Sequence, residues 1–187
     1  LLEYKDLFFS LTEKDFKVRY AQTAIGLLWA IIQPIATLTI FTVIFGKVIS
    51  VDTNGIPYPL FAIIGLSAWN YFAFVMNQSG NSLIESQHLI KKIYFPRLII
   101  PVSKAIVGFV DFFIALIFLV LFLIYYQIPI SSKFIMLPLF FFVLVMASLG
   151  VGIWLSALTI RFRDFKHIIP FLIQLGLYAS PVAYSSK

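Results

Sequence analysis

Long apolar runs, separated by short charged segments, make up most of the chain. Charged residues are absent from positions 20–46, 53–84, 134–160 and 167–186, and Asp111 is the one charged residue at positions 105–132. Since about 20 apolar residues cross a bilayer as a helix, the pattern predicts five spans, at about 25–46, 59–83, 99–126, 134–160 and 168–187. The runs are continuously apolar rather than alternating, which favours helices over a barrel.

The composition agrees with a membrane protein. Hydrophobic residues make up 61% of the 187 positions and charged residues 12%, whereas a soluble domain is about half apolar and about a quarter charged. We therefore expect an all-α integral membrane protein with a single transmembrane domain over residues 1–187. The last run has no closing loop, so we expect the natural chain to continue with at least one further span. The Ser180-Pro181 step should interrupt the last helix near the outer face.

The basic residues predict the orientation of the spans. The net charge of +6 could suggest a nucleic-acid partner, but the basic residues lie between apolar runs and are better explained as topogenic and headgroup-binding charges. Eleven of them fall on the side that carries the N-terminus, against three on the other side (Lys47, Lys133 and Lys187). The positive-inside rule then places the N-terminus in the cytoplasm.

Residues 1–23 precede the first predicted span. Apolar side chains recur there at roughly helical spacing among Lys and Asp: Leu7, Phe8, Leu11, Phe16 and Tyr20. Ser10-x-x-Glu13 resembles a capping box. The pattern predicts a helix in the cytoplasmic membrane interface; a solvated tail, the alternative, would leave its aromatic rings unburied.

Polar residues inside the predicted spans are candidates for function. Asp111 is costly in a membrane. Its structural partner could be Lys104, two turns earlier on the same helix face, or a polar group from another helix. The inner half of the second span carries polar side chains that either join helices or line a wet path: Asn70, Asn77, Gln78, Ser79, Asn81 and Ser82. Ser148, Gly152 and Ser156 form a small-residue stripe that predicts a close helix contact.

Signatures of enzymes are missing from the sequence. There is no G-x-x-x-x-G-K-[ST] phosphate loop, so this chain is not expected to hydrolyse ATP. His88 and His167 stand apart from acidic or cysteine partners at ligand spacing, which argues against a metal site. No cofactor is expected in this chain.

Aromatic residues are abundant, at 18% of the chain. Lipid-facing rings and interfacial belts account for most of them, Trp29 included. Trp69 fits this explanation poorly, since ten residues beyond Pro59 place it roughly 15 Å into the membrane. Tyr71 and Phe74 follow it, and flat aromatic faces of this kind can stack on sugar rings in a channel.

Three segments resemble the permease subunits of ABC-2 transporters, specifically the exporters of polysaccharide, O-antigen and teichoic acid. The first is Lys14-Asp15-Phe16-Lys17-Val18-Arg19-Tyr20, followed by Gly26, Trp29 and Pro34. The second is Leu89-Ile90-Lys91-Lys92-Ile93-Tyr94-Phe95-Pro96-Arg97, and the third is Ser180-Pro181-Val182-Ala183-Tyr184. Together these segments are distributed over the chain from end to end.

The resemblance implies a homodimer of six-span subunits in a bacterial plasma (inner) membrane, moving lipid-linked glycan with two separate subunits that bind ATP and Mg. It implies a coupling helix at 85–97 that contacts the ATPase, with His88, Lys91, Lys92, Phe95, Pro96 and Arg97. It implies that the N-terminal helix gates substrate entry, with Lys14, Lys17, Arg19 and Tyr20 near the lipid headgroup. It also implies short re-entrant outer helices and a channel lined by Trp29, Trp69, Tyr71, Phe74, Tyr178 and Tyr184.

Other functions stay open on the sequence alone. An ABC-2 exporter of a drug or small lipid would share the architecture but line its channel with aliphatic side chains. A proton-coupled carrier would need Asp111 as its relay. A membrane enzyme such as a glycosyltransferase would need clustered acids or metal ligands at an aqueous interface, and the sequence shows none.

Overall fold

The computed structural model describes residues 4–21, 28–48, 53, 55–129, 132–180 and 182, and the regular elements among them are all helices. Seven α-helices follow one another: α1 Lys5–Phe16, α2 Leu28–Phe41, α3 Tyr58–Glu85, α4 Gln87–Lys92, α5 Ile99–Tyr125, α6 Leu137–Arg161 and α7 Phe165–Ala179. π-helical turns extend α1 over Lys17–Ala21 and α2 over Thr42–Val48, and a 3-10 turn, Ser132–Met136, leads into α6.

Four of the predicted spans are confirmed by helices long and apolar enough to cross a membrane: Leu28–Gly46, Tyr58–Glu85, Ile99–Tyr125 and Phe134–Arg161. Many large apolar side chains on these helices are exposed, for example Ile117, Ile124 and Phe140 at 60%, 67% and 67%. Such surface is unfavourable in water. The chain is therefore an all-α membrane protein.

The predicted interruption of the fifth span, 168–187, at Ser180-Pro181 is confirmed by the end of helix α7. Helix α7 begins at Phe165 and ends at Ala179, after 15 residues. Ser180 is extended, with φ −88° and ψ 145°, because the residue before a proline is disfavoured in the α conformation. Val182 then lies against Gly65, so the chain turns back toward the bundle where the sequence predicted an interruption. Residues 183–187 lie outside the described part.

Helix α3 is the centre of the bundle and packs against both α5 and α6. Its contact with α6 uses the predicted small-residue stripe, whose three members are buried. A Cβ added at Gly152 would lie 2.8 Å from the Cβ of Ser79, closer than two carbon atoms can approach. The predicted close helix contact is confirmed, and it depends on the missing side chain.

Helix α1 packs lengthwise on the first half of α5. Its apolar side chains Leu7, Phe8 and Leu11 contact a buried cluster that includes Ile99 and Ile100, so the N-terminal segment is not a solvated tail. The predicted capping box is wrong, since the helix begins at Lys5 and Ser10 therefore lies within it. Glu13 pairs instead with Lys17, one turn later.

The basic connections share one end of the bundle. Helix α1 and the segment 86–98 meet around the cluster of Leu83 and Phe95. Helix α7 starts at the same end, because Ile169 contacts Gly80 near the end of α3. The opposite end is closed by packing around Tyr58 and Val182.

Candidate functional site

A cavity of about 290 Å³ lies among α2, α3 and α5, three helices of membrane-spanning length. Its wall is unusually polar for a transmembrane bundle. Five of its lining side chains are amides or hydroxyls: Gln33, Thr37, Ser67, Asn70 and Asn77. Phe74 and Tyr71 contribute aromatic surface, and Arg19 and Asp111 contribute charges.

The two charges of this cavity belong to one ion pair. The guanidinium of Arg19 donates to Oδ2 of Asp111, and the hydroxyl of Tyr20 donates to Oδ1 at 2.7 Å. Both side chains of the pair are partly exposed, 31% for Arg19 and 28% for Asp111. The Arg19 guanidinium also lies over the ring of Phe74, 3.9 Å from its centroid. Asp111 is therefore held as a partnered carboxylate.

Of the two partners that the sequence left open for Asp111, Lys104 is wrong, and polar groups from another helix, Arg19 and Tyr20, are confirmed. Lys104 instead donates to Oδ1 of Asp15 at 2.9 Å, and its place beside Asp111 is taken by Arg19. Two turns of helix separate Lys104 from Asp111, about 10 Å along the axis, whereas α1 brings opposite charges alongside both. Burial of Tyr20, with its hydrogen bond to Asp111, raises the pKa of its hydroxyl, which therefore keeps its proton.

A second cavity adjoins the first toward the basic end. It is lined by seven described residues, against nineteen for the first, and the two are called the smaller and the larger cavity on this count. Its lining includes the Asp15–Lys104 pair and Gln78. Arg19 and Phe74 line both cavities. This stacked pair therefore forms the boundary between the two spaces.

The polar face of α3 serves both of its predicted roles. Asn70 and Asn77 line the larger cavity. Ser79, fully buried, donates to the carbonyl oxygen of Pro101 at 2.9 Å and joins α3 to α5. Ser82 donates to the carbonyl of Ser79 within α3. The half nearer the membrane centre thus lines a cavity, and the half nearer the basic end joins helices.

The six predicted channel aromatics lie in different surroundings. Phe74 and Tyr71 line the larger cavity, although Tyr71 is largely buried and donates to the carbonyl of Ala105 at 3.4 Å. Trp69 packs on Gly176 and on Phe72. Two others are exposed, Trp29 at 55% and Tyr178 at 68%, and Tyr184 lies outside the described residues.

The predicted coupling segment forms the short helix α4 and an extended stretch after it. His88, Lys91, Lys92, Pro96 and Arg97 are exposed. Phe95 differs from them, since it is 6% exposed and packs beneath α1 with Leu83 and Ile99. The exposed members form the surface available to a partner, and Phe95 fixes the segment to the bundle.

The four predicted headgroup residues separate into two pairs. Lys14 and Lys17 are exposed on α1, and Lys17 contacts Glu13 at 2.6 Å, which lowers the pKa of Glu13. Arg19 and Tyr20 instead turn inward to Asp111. The π-helical turn at Lys17–Ala21 is wider than an α-helical turn, and π turns often occur at functional sites.

Sequence reasoning missed three cavity residues, Gln33, Thr37 and Ser67. The sequence did offer one signal for a polar cavity: Gln33 directly precedes Pro34 in an otherwise apolar run. Proline has no N–H to donate to the carbonyl four residues earlier, here that of Ala30, which also lines the cavity. Polar groups in a spanning helix are tolerated where they face protein or a wet space.

The chain is similar to known membrane transport proteins over almost its whole length. The family model described as ABC-2 type transporter matches residues 6–187. A Klebsiella pneumoniae protein named O-antigen export system permease protein RfbA is 34% identical over 182 residues, which cover 97% of this chain and 70% of the relative. A Myxococcus xanthus protein of the same name is 27% identical over 98% of this chain and 70% of its own length.

A more distant relative is the Escherichia coli polysialic acid transport protein KpsM, which is 23% identical over 175 residues, 91% of this chain and 67% of the relative. The relatives span the described helices, including those that build the cavity. With a family model that matches nearly every residue, the chain belongs to the ABC-2 type transporter family.

Proposed function

We propose that this chain is the membrane-spanning permease subunit of an ATP-driven exporter of lipid-linked polysaccharide. In this proposal two copies form a homodimer in a bacterial inner membrane, with the N-terminus in the cytoplasm. Two separate subunits bind ATP and Mg on that side and supply the energy. Similarity over 97% of the chain to a protein named for O-antigen export is the observation that carries the substrate assignment.

The larger cavity supports a glycan rather than a drug or small lipid. Sugars present many hydroxyl groups and flat apolar ring faces, and they need hydrogen-bonding side chains together with aromatic surface. The cavity supplies amides from Asn70, Asn77 and Gln33 and a ring from Phe74. Asn70 and Gln33 are exposed at the open side of the cavity, so their amides can reach a bound sugar. An exporter of apolar molecules would gain nothing from such groups, because a polar group covered by an apolar molecule loses its hydrogen bonds to water.

The surroundings of Asp111 count against a proton-coupled carrier. A relay needs several acidic groups in sequence, whereas Asp111 is the one acid among the described residues that line the larger cavity, and both its oxygens are occupied by Arg19 and Tyr20. For a glycosyltransferase we would expect clustered acids, and the described residues contain no group of three His, Cys, Asp or Glu side chains that could hold a metal ion.

The exposed basic surface of the segment 86–98 supports coupling to an ATP-binding subunit. This segment lies at the end of the bundle that also carries α1 and the start of α5. Because Phe95 fixes this segment to Ile99 at the start of α5, a push on the segment reaches a cavity helix as rigid-body movement.

Depletion of this protein in its native cell tests the proposal. We expect lipid-linked glycan to accumulate on the cytoplasmic side and to disappear from the surface. Gln33→Leu should reduce surface glycan by about fivefold, the equivalent of one lost hydrogen bond. Gln174→Leu is the matched control, since Gln174 is exposed on α7 and does not line the cavity. Unchanged glycan on both sides after depletion would reject polysaccharide as the substrate.

A further inference from the structure

Both cavities are electrically balanced by ion pairs within the protein. In the larger one, the charge of Arg19 is neutralised by Asp111, and the other polar lining groups are amides and hydroxyls. In the smaller one, Asp15 and Lys104 neutralise each other at 2.9 Å. The polar space inside the bundle therefore has many hydrogen-bonding groups and no uncompensated charge among its described lining residues.

From this balance we infer that the larger cavity binds an uncharged sugar residue, so that the exported glycan consists of neutral sugars. The inference rests on the proposed export function and narrows its substrate. The lining fits a hydroxyl-rich ring: Arg19 has five N–H donors and Asp111 offers acceptor lone pairs beyond those used by Arg19 and Tyr20. The amide groups of Asn70 and Asn77 both donate and accept, and Phe74 offers a flat face.

An acidic sugar would meet an unfavourable site. The cavity is open at Gln33 and Asn70, but Arg19 and Asp111 are only 31% and 28% exposed. A carboxylate beside them would lose part of its water, which is costly unless a cation pairs with it. Arg19 is the one cation on the larger cavity's described lining, and it is already engaged by Asp111 and by the ring of Phe74. To bind the acid, Arg19 would have to leave Asp111, or two carboxylates would face each other.

The same geometry changes the expected role of Arg19 and Tyr20. A diphosphate-lipid headgroup needs positive charge that is not already neutralised. Arg19 and Tyr20 face Asp111 inside the bundle, whereas Lys14 and Lys17 are exposed on α1. Arg19 belongs to the sugar-binding wall, and Tyr20 supports it by donating a hydrogen bond to Asp111. The headgroup assignment is better suited to the exposed lysines.

The composition of the glycan lost on depletion gives the first test. We expect its repeating unit to contain neutral sugars and neither uronic nor sialic acid. A glycan rich in these acids would overturn the neutral-sugar inference while leaving export intact. Glycan unchanged on both sides of the membrane would instead overturn export itself, so the two failures are distinguishable.

Direct binding to the purified complex with its ATP-binding subunit, held in nanodiscs, gives the second test. Saturation-transfer NMR would compare neutral tetrasaccharides of glucose, mannose and galactose with tetragalacturonate. We expect at least one neutral probe to give at least threefold more transfer than the acidic probe. Asp111→Asn should raise transfer to the acidic probe at least threefold, because it leaves Arg19 uncompensated.

Two phenylalanine variants show where the probe binds. Phe74→Ala should reduce transfer to the neutral probe at least threefold, and Phe140→Ala, at an exposed site on α6 outside the cavity, should leave it unchanged. Equal or greater transfer to the acidic probe in the unaltered complex overturns the inference. Absence of transfer to every neutral probe, or transfer that Phe74→Ala does not change, overturns it as well.

Discussion

Disruption of the Arg19–Asp111 ion pair should destabilise the protein by more than disruption of a fully exposed ion pair would. The perturbation is Asp111→Asn, which keeps the shape of the side chain and removes its charge. Removing one partner of a fully buried pair costs about 3–5 kcal/mol, whereas an exposed pair contributes about 0–1 kcal/mol. With the two side chains 31% and 28% exposed, we expect an intermediate loss of about 2 kcal/mol.

A double-mutant cycle separates the pair from its surroundings. Asp111→Asn, Arg19→Gln and the double variant would each be unfolded reversibly in mixed micelles, with the fluorescence of the three Trp residues as the signal. Because each single variant leaves an uncompensated charge near the cavity, the double variant should be less destabilised than the sum of the two. We expect a coupling of about 1–2 kcal/mol.

The chain offers a matched control in the exposed pair of Glu13 and Lys17, whose side chains are 65% and 61% exposed. Glu13→Gln removes a carboxylate from an ion pair in the same way, but in solvent, and should cost less than about 0.5 kcal/mol. If Asp111→Asn costs no more than Glu13→Gln, or if the cycle shows no coupling, the assignment of Asp111 as a partnered structural carboxylate is refuted.

Two further predictions concern helix packing and coupling. Gly152→Ala should lower the free energy of unfolding by about 1–3 kcal/mol, because its Cβ would lie 2.8 Å from that of Ser79. Gly150→Ala is the control: nothing lies within 4 Å of the added Cβ, so it should be neutral or stabilising in the same unfolding assay. Lys91→Glu combined with Arg97→Glu should reduce surface glycan at least tenfold with normal amounts of protein in the membrane; normal export would remove the coupling role from these residues.

The spans could be predicted because lipid imposes a simple rule on sequence. A helix that crosses a bilayer must be apolar over about 20 residues, and the four confirmed spans end within a few residues of the predicted limits. Helix α7 departs from the rule because local backbone sterics before Pro181 end it at Ala179. Hydropathy alone would extend the helix further, and it was the Ser180-Pro181 step that predicted the interruption.

The cavity was harder to predict because its residues come from distant parts of the chain. Asn70, Tyr71 and Phe74 were found as polar or aromatic positions in one helix. Arg19 and Asp111 are 92 positions apart, whereas helical periodicity gives information only about residues on the same helix. Periodicity offered Lys104, two turns away on α5, as a partner of Asp111, and tertiary packing placed Arg19, from the π-helical turn after α1, there instead.

The two ion pairs that join α1 and its π-helical turn to α5 also explain the order of positive and negative residues along each of these helices. Along α1 a negative Asp15 precedes a positive Arg19 by one turn, and along α5 a positive Lys104 precedes a negative Asp111. A slip of α1 by about two turns would bring Arg19 to Lys104 or, in the other direction, Asp15 to Asp111, and either arrangement places like charges together in a partly desolvated site. The lone acid in a spanning helix is thus one element of a register between two helices. The same register holds Arg19 at the cavity wall, where it leaves a balanced space for an uncharged sugar.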